Sequence, residues 1–240
     1  IAASFLIIAS LLATYLWMTR EPAALSDDSA WVVMENPYGQ RSTIYLSDGT
    51  EVVLNVGSQL KYPEQFAKNN RRVMLQGEAF FRVAEDTTRP FKVVVNNIIT
   101  QALGTSFNIK AFPGEPMQVS LVTGKVQVHH AQQHDKVFLL PGECAIYDTL
   151  KTALTRGTFD ETMILAWKDG IIYFRDADQQ TIFKELEKWY GVKINTVNTS
   201  HKVWKYTGQL KDMSLDQFLE TLQFSMEFKY HIKDKQVTIE

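Results

Sequence analysis

Apolar and polar positions change rhythm along the 240 residues, and each rhythm predicts a different kind of element. From Ile1 to Thr19 there is no charge and nearly every helical face is apolar, until Arg20 and Glu21 end the run. As a helix rising about 1.5 Å per residue, this stretch would reach roughly 28 Å, close to the hydrocarbon thickness of a bilayer. It reads as a transmembrane helix over residues 1–19, with Tyr15 and Trp17 at the level of an aromatic belt. Two other readings stay open. A secretory signal peptide would have an apolar core of only about 7–15 residues and a small-x-small cleavage site, which Pro22-Ala23-Ala24-Leu25 supplies poorly. A helix buried in a soluble core would rarely be apolar all round. Residues 20–30 read as a linker, and Glu21, Asp27 and Asp28 against Arg20 favour export of the large C-terminal part, in a bacterium to the periplasm. Because the first residue is Ile and no cationic segment precedes the run, a further segment is expected upstream.

Between Trp31 and Gly157 apolar residues recur at every second position in short runs, which predicts strands. Ser47-Asp48-Gly49-Thr50, between Ile44-Tyr45-Leu46 and Val52-Val53-Leu54, predicts a tight hairpin because Asp-Gly accepts the positive φ angles of primed turns. Val73, Leu75, Gly77, Ala79, Phe81 and Val83 share one face of a long strand. Further strands are predicted over 91–99, 107–112, 117–121, 125–129, 137–140 and 145–147. Such spacing without helical periodicity means an all-β antiparallel sandwich, roll or solenoid-like stack over 31–157. Gly104-Thr105 marks a turn, and Gly77 inside a strand predicts a bulge or a close backbone contact. Phe80 and Phe81 must point to opposite faces, one into the core and the other toward a neighbouring strand or domain.

Residues 158–240 contain an internal repeat with an offset of 36 residues. Phe174, Asp176, Ile182, Phe183, Leu186, Tyr190, Val192 and Ile194 correspond to Leu210, Asp212, Phe218, Leu219, Leu222, Met226, Phe228 and Tyr230. Each copy reads strand, helix, strand, and a duplicated βαβ unit of this size predicts a small α+β domain, closed by a last strand from Gln236 to Glu240. Asp178 and Ser214 are predicted N-caps, Ser214 with Gln217 as a capping box, and Gly191 a C-terminal stop.

Charge and composition narrow the function mainly by exclusion. With 25 basic and 27 acidic residues there is no basic excess that would point to nucleic acid. Cys144 is the single cysteine, so no internal disulfide or thiolate metal cluster is possible, and its strand-like setting suits a small core residue. His129, His130 and His134 with Glu143 could suggest a metal site of a β-barrel oxygenase, but they fall on a strand end and hairpin tip where polar residues are expected anyway. Glu51, Glu78 and Glu143 are carboxylates without a partner that spacing can place, and no Walker loop, nucleophile elbow or His-Glu-x-x-His pattern occurs. No cofactor, catalytic residue or metal ligand is therefore assigned.

Several runs carry a family resemblance. Leu46-Ser47-Asp48-Gly49-Thr50-Glu51-Val52-Val53-Leu54-Asn55, Ser58-Gln59-Leu60-Lys61-Tyr62-Pro63, Gly77-Glu78-Ala79-Phe80-Phe81-Arg82-Val83, Pro90-Phe91-Lys92-Val93, Leu103-Gly104-Thr105-Ser106-Phe107 and Pro141-Gly142-Glu143 closely resemble the FecR family. The tail from Trp167-Lys168-Asp169-Gly170-Ile171 onward resembles the C-terminal domain that accompanies FecR domains in Bacteroidota, itself similar to the secretin and TonB N-terminal fold. The resemblance implies a transmembrane anti-sigma factor, or sigma regulator, and not an enzyme. A cytoplasmic segment upstream of Ile1 would hold an extracytoplasmic-function sigma factor. The periplasmic part would sense the N-terminal signalling domain of a TonB-dependent outer-membrane transporter, and the span is a candidate for regulated proteolysis.

Small α+β domains can offer a free strand edge to a partner's strand. Trp204 and Tyr206 on one predicted strand, and Tyr230 and Ile232 on another, are the candidate partner contacts; the alternative is that they pack beneath their own helices. A membrane-anchored envelope module for glycan or another envelope protein would have the same folds without the signalling partner.

Overall fold

The computed structural model describes residues 30–133, 136–148, 152–197 and 205–240. The expected span over 1–19 and its linker up to residue 29 lie outside these. Among the described residues no helix is long and apolar enough to cross a membrane.

The first part is all β: β1 (Trp31–Glu35), β2 (Ser42–Tyr45), β3 (Glu51–Leu54), β4 (Gln59–Pro63), β5 (Arg71–Arg82), β6 (Phe91–Val95), β7 (Ile98–Ala102), β8 (Ser106–Ala111), β9 (Met117–Thr123), β10 (Val126–His130), β11 (Lys136–Leu139), β12 (Glu143–Asp148) and β13 (Ala153–Thr158). All belong to one 13-stranded sheet, and β5 is its spine. The first half of β5 pairs with β4 and β6, and its second half with β3 and β8. One half of the sheet runs β1-β4-β5-β6-β7-β10-β11, the other β2-β3-β5-β8-β9-β12-β13, and β11 closes against β12 and β13 to make a nearly closed barrel. The β5–β6 pairing is parallel, so the sheet is not wholly antiparallel.

A straight strand of twelve residues would extend roughly 40 Å, yet Arg71, its first residue, reaches the chain just past its last. The Arg71 guanidinium, fully buried, donates to Ala84 O at 3.0 Å and to Arg89 O at 2.6 Å, and pairs with Asp48 at 3.0 Å. Gly77, at φ +90°, sits where β5 changes partners, and a Cβ there would lie 2.8 Å from Ser58 Cα. The close backbone contact expected of Gly77 is therefore present. The inner faces supply one core containing Val73, Leu75, Phe81, Phe91, Phe107 and Leu121, with Phe81 and Phe107 stacked at 5.1 Å. Phe80 faces away from it, as alternation requires.

The hairpin at Asp48-Gly49 joins β2 and β3, with Gly49 at φ +86°. The run 91–99, expected as one strand, is two. Asn96 adopts φ +50° and turns the chain so that Val95 pairs with Ile98, because an Asn side chain tolerates the left-handed region that a β-branched residue does not.

The chain continues through α1 (Glu161–Leu165), capped by Asp160, and a 3₁₀ turn (Ala166–Asp169). The repeat comes next as β14 (Ile171–Asp178), α2 (Gln179–Tyr190), β15 (Lys193–Thr196), then β16 (Lys205–Lys211), α3 (Leu215–Met226), β17 (Tyr230–Lys233), with β18 (Gln236–Ile239) last. The 36-residue offset extends to backbone detail. Asp176 and Asp212 take φ 48° and 51°, Asp178 and Ser214 cap their helices, and Gly191 and Glu227 end them in the left-handed conformation. The Ser214–Gln217 capping box is formed. The copies are not closed βαβ units, however. β14 pairs antiparallel with β16 in one sheet, whereas β15 and β17 flank β18 in another. Each copy thus gives its first strand to one sheet and its second strand to the other, and Ile182, Phe183, Leu186, Phe218 and Leu222 from the helices belong to one core with both sheets.

Candidate functional site

The two cores meet at a junction to which several separate segments contribute. Phe80, turned outward from β5, packs with Leu165 and Trp167, and Val53, Val122, Ile164 and Trp189 close around them. Arg41, in the turn between β1 and β2, reaches across. Its Nη1 donates to the Trp167 carbonyl at 2.7 Å and its guanidinium lies 3.9 Å from the centre of the Trp189 ring. Burial depresses the Arg41 pKa, with Asp212 and Tyr190 opposing. Such stacking suits a planar, weakly hydrated cation. Beside it the Gly39 N–H donates to Lys188 O at 2.8 Å, and Lys188 Nζ sits 5.0 Å over the Phe112 ring.

A cleft of about 550 Å³ opens along this junction, lined among others by Glu78, Lys110, Phe112, Trp167, Glu185 and Lys188. Glu78 lies at its base, buried on β5. Its two carboxylate oxygens accept from Asn55 Nδ2 and Asn108 Nδ2, each at 2.9 Å, while its own N–H donates to Ser58 Oγ at 2.8 Å. Burial raises the Glu78 pKa, only partly offset by the two amide hydrogen bonds. Burial pushes Lys110 the other way, but Glu115, 3.1 Å away, and Glu78 and Glu185 outweigh it and hold the ammonium above its ordinary value. The carboxylate is held by amide donors, an arrangement that fixes a fold and offers no activated nucleophile.

The residues expected to contact a partner do not form one strip. Trp204 lies outside the described residues. Tyr206, on β16, is half-buried and stands edge-on to Phe174 and Phe218, beneath its own helices. Tyr230 is on β17, in the other sheet; its hydroxyl donates to Asp216 Oδ1 at 2.8 Å, and burial together with that bond pushes its pKa up to about 12. Ile232, two residues on, is exposed, and β17 pairs only with β18, which leaves its other edge free among the described residues. Phe224, on α3, is 91 % exposed. It stands off the helix's apolar stripe at the repeat position of Lys188, which in the first copy lies at the junction; only the repeat offset combined with the junction could have singled it out.

Of the histidines considered for metal, His130 is buried, accepts from the Gln132 N–H through Nδ1 and lies against Tyr147, while His129 is half-buried near Gln127. His134 lies outside the described residues. Cys144 is buried, and burial raises its thiol pKa.

Residues 33–146 match the family described as FecR protein, and residues 171–239 match the family described as FecR, C-terminal. Two crystal structures of a proposed anti-sigma factor from Parabacteroides distasonis, at 1.65 and 2.50 Å resolution, are similar to this chain. Each is 29 % identical with a TM-score of 0.71; they cover 87 % and 88 % of this chain, and 98 % of their own. No protein of curated function matches. Because both FecR segments match in order and the fold agrees with that of an anti-sigma factor candidate along most of its length, the chain belongs to the FecR family.

Proposed function

We propose that this chain is the periplasmic sensing part of an anti-sigma factor. In this reading residues 1–19 span the inner membrane, an all-β unit over 31–157 stands next to it, and an α+β unit over 158–240, similar to the secretin and TonB N-terminal fold, receives the signal. The partner is the N-terminal signalling domain of a TonB-dependent outer-membrane transporter. The listener is an extracytoplasmic-function sigma factor, held by a cytoplasmic segment upstream of the span. FecR membership and the likeness to an anti-sigma factor candidate support the regulatory role.

The observation that carries the partner assignment is the edge of β17, where Ile232 is exposed beside Tyr230 and the outer main-chain groups have no strand partner among the described residues. Main-chain pairing at such an edge gives affinity, and alternate side chains give specificity. Trp204, just before β16, and Phe224 on α3 are further contacts in this reading. The junction at Arg41 and Trp189 then conveys the bound state to the all-β unit. Affinity capture with the tagged full chain from envelope extract tests this. Recovery of a TonB-dependent transporter, lost when its signalling domain is deleted, supports the assignment; recovery of glycan or unrelated envelope proteins alone refutes it.

A further inference from the structure

The sheet edges of this protein are not protected alike. β11 carries Lys136, β13 Arg156, β15 Lys193, and β16 Lys205 and Lys211, charges that discourage unplanned strand pairing. β1 has no lysine or arginine, and its one charge, Glu35, is at its end. Its sequence is Trp31-Val32-Val33-Met34-Glu35, among the described residues it pairs only with β4, and Trp31, Val33 and Met34 are all exposed, Val33 at 53 %.

The hydrogen-bond parity fixes what this edge offers. Asn36 N–H donates to Ser58 O and Glu64 N–H to Ala30 O, so the even-numbered residues of this stretch face β4. The N–H and C=O groups of Trp31, Val33 and Glu35 therefore point outward, away from the sheet. We propose that this edge pairs with β1 of a second copy of this chain, antiparallel and centred on Val33. In that register Val33 faces Val33 of the other copy and Trp31 faces Glu35, so every outward peptide group of the strand is used and about six main-chain hydrogen bonds form. A shift of two residues in either direction loses two of them.

Side chains agree with this register. Trp31, Val33 and Glu35 share the solvent face with Lys61, whose Nζ lies 5.4 Å from the Trp31 ring. Pairing sets Glu35 of the other copy opposite Trp31, bringing its carboxylate toward Lys61, and no like charges meet directly. Val32 meets Met34 on the opposite face. The inference stands on β1 and β4 alone and is independent of the transporter assignment.

Cross-linking of the full chain in detergent tests it. Paired residues at a hydrogen-bonded position are about 5.5 Å apart between Cα atoms, within the range of roughly 4.4–6.8 Å that a disulfide spans. Oxidised Val33→Cys is expected to form a reducible dimer at least tenfold faster than Tyr45→Cys, an exposed control on β2, with the unsubstituted chain and its buried Cys144 as blank. Val33→Lys is expected to weaken self-association at least tenfold, and Val33→Thr, which keeps the strand, to preserve it. Circular dichroism and thermal melting check that each variant is folded. Equal rates for Val33→Cys and Tyr45→Cys, a monomer at all concentrations, or self-association unchanged in folded Val33→Lys would each overturn the proposal.

Discussion

Gly39, in the turn after β1, and Gly191, at the end of α2, meet backbone to backbone where the two cores join. A Cβ on Gly191 would lie 2.6 Å from Tyr38 O, and one on Gly39 would lie 3.0 Å from Tyr190 O. Both take positive φ, but φ is not the main constraint at Gly191, since Glu227 holds the same left-handed conformation at the equivalent repeat position. Glu227 is exposed, whereas Gly191 is pressed against the Tyr38 backbone. Gly191→Ala is therefore expected to cost about 1–2 kcal/mol in backbone strain plus the displacement of Tyr38, and to loosen the junction. Glu227→Gly is expected to leave the junction unchanged. Hydrogen exchange at the Gly39 amide, which donates to Lys188 O, reads the difference directly.

Arg41 is the polar counterpart of that contact. Arg41→Ala removes the stacking on Trp189 and the hydrogen bond to Trp167 O, an expected loss of about 1–3 kcal/mol. Arg41→Lys is expected to recover little of it, because an ammonium cannot stack and donate in the same plane. Thermal unfolding followed separately by near-ultraviolet dichroism and calorimetry checks whether the two cores then melt apart.

Asp48 illustrates how far sequence carries and where it stops. Asp-Gly is a local signal, and the hairpin is legible from four residues. The ion pair to Arg71 joins residues 23 apart, and nothing in periodicity announces that this side chain, at the start of β5, reaches Ala84 and Arg89 beyond its end. Asn96-Asn97 reads as part of a strand because valines and isoleucines flank it on both sides. The 36-residue repeat reveals the helices, their caps and their stops, yet cannot say that β15 and β17 leave β14 and β16 for another sheet. Arg41, Phe112 and Trp189 belong to different periodic runs, so the junction has no linear signature. Tyr206 looks available by alternation, but Phe174 and Phe218 enclose it.

Asp48→Ala leaves the fully buried Arg71 guanidinium without its counter-charge, so a loss of about 3–5 kcal/mol is expected. Urea titration measures it. Because Arg71 ties the start of β5 to the Asp48 hairpin and to Ala84 and Arg89 within one core, the m-value is expected to stay that of a cooperative transition even as the midpoint falls.

Glu78 makes stability depend on pH in an unusual direction. Burial raises its pKa above the ordinary 4.5, so from about that pH upward the folded chain holds a proton that the unfolded chain has released. This contribution is fully present at low pH, is lost as pH rises through the folded value, and then levels off. Glu78→Gln is expected to flatten this part of the melting-temperature profile and to raise stability at neutral pH. Asn108, whose Oδ1 has no partner, can turn to accept from the new amide. Glu78→Ala instead strands the Asn55 and Asn108 donors, at a cost of about 2–4 kcal/mol.

Calorimetric titration of the full chain with an isolated transporter signalling domain measures whether the C-terminal unit binds that domain at the β17 edge, as proposed. Saturable one-to-one binding is expected, weakened at least tenfold by Ile232→Lys while the folded core and its melting temperature are retained. No binding, or binding of the same strength to the folded variant, would contradict it.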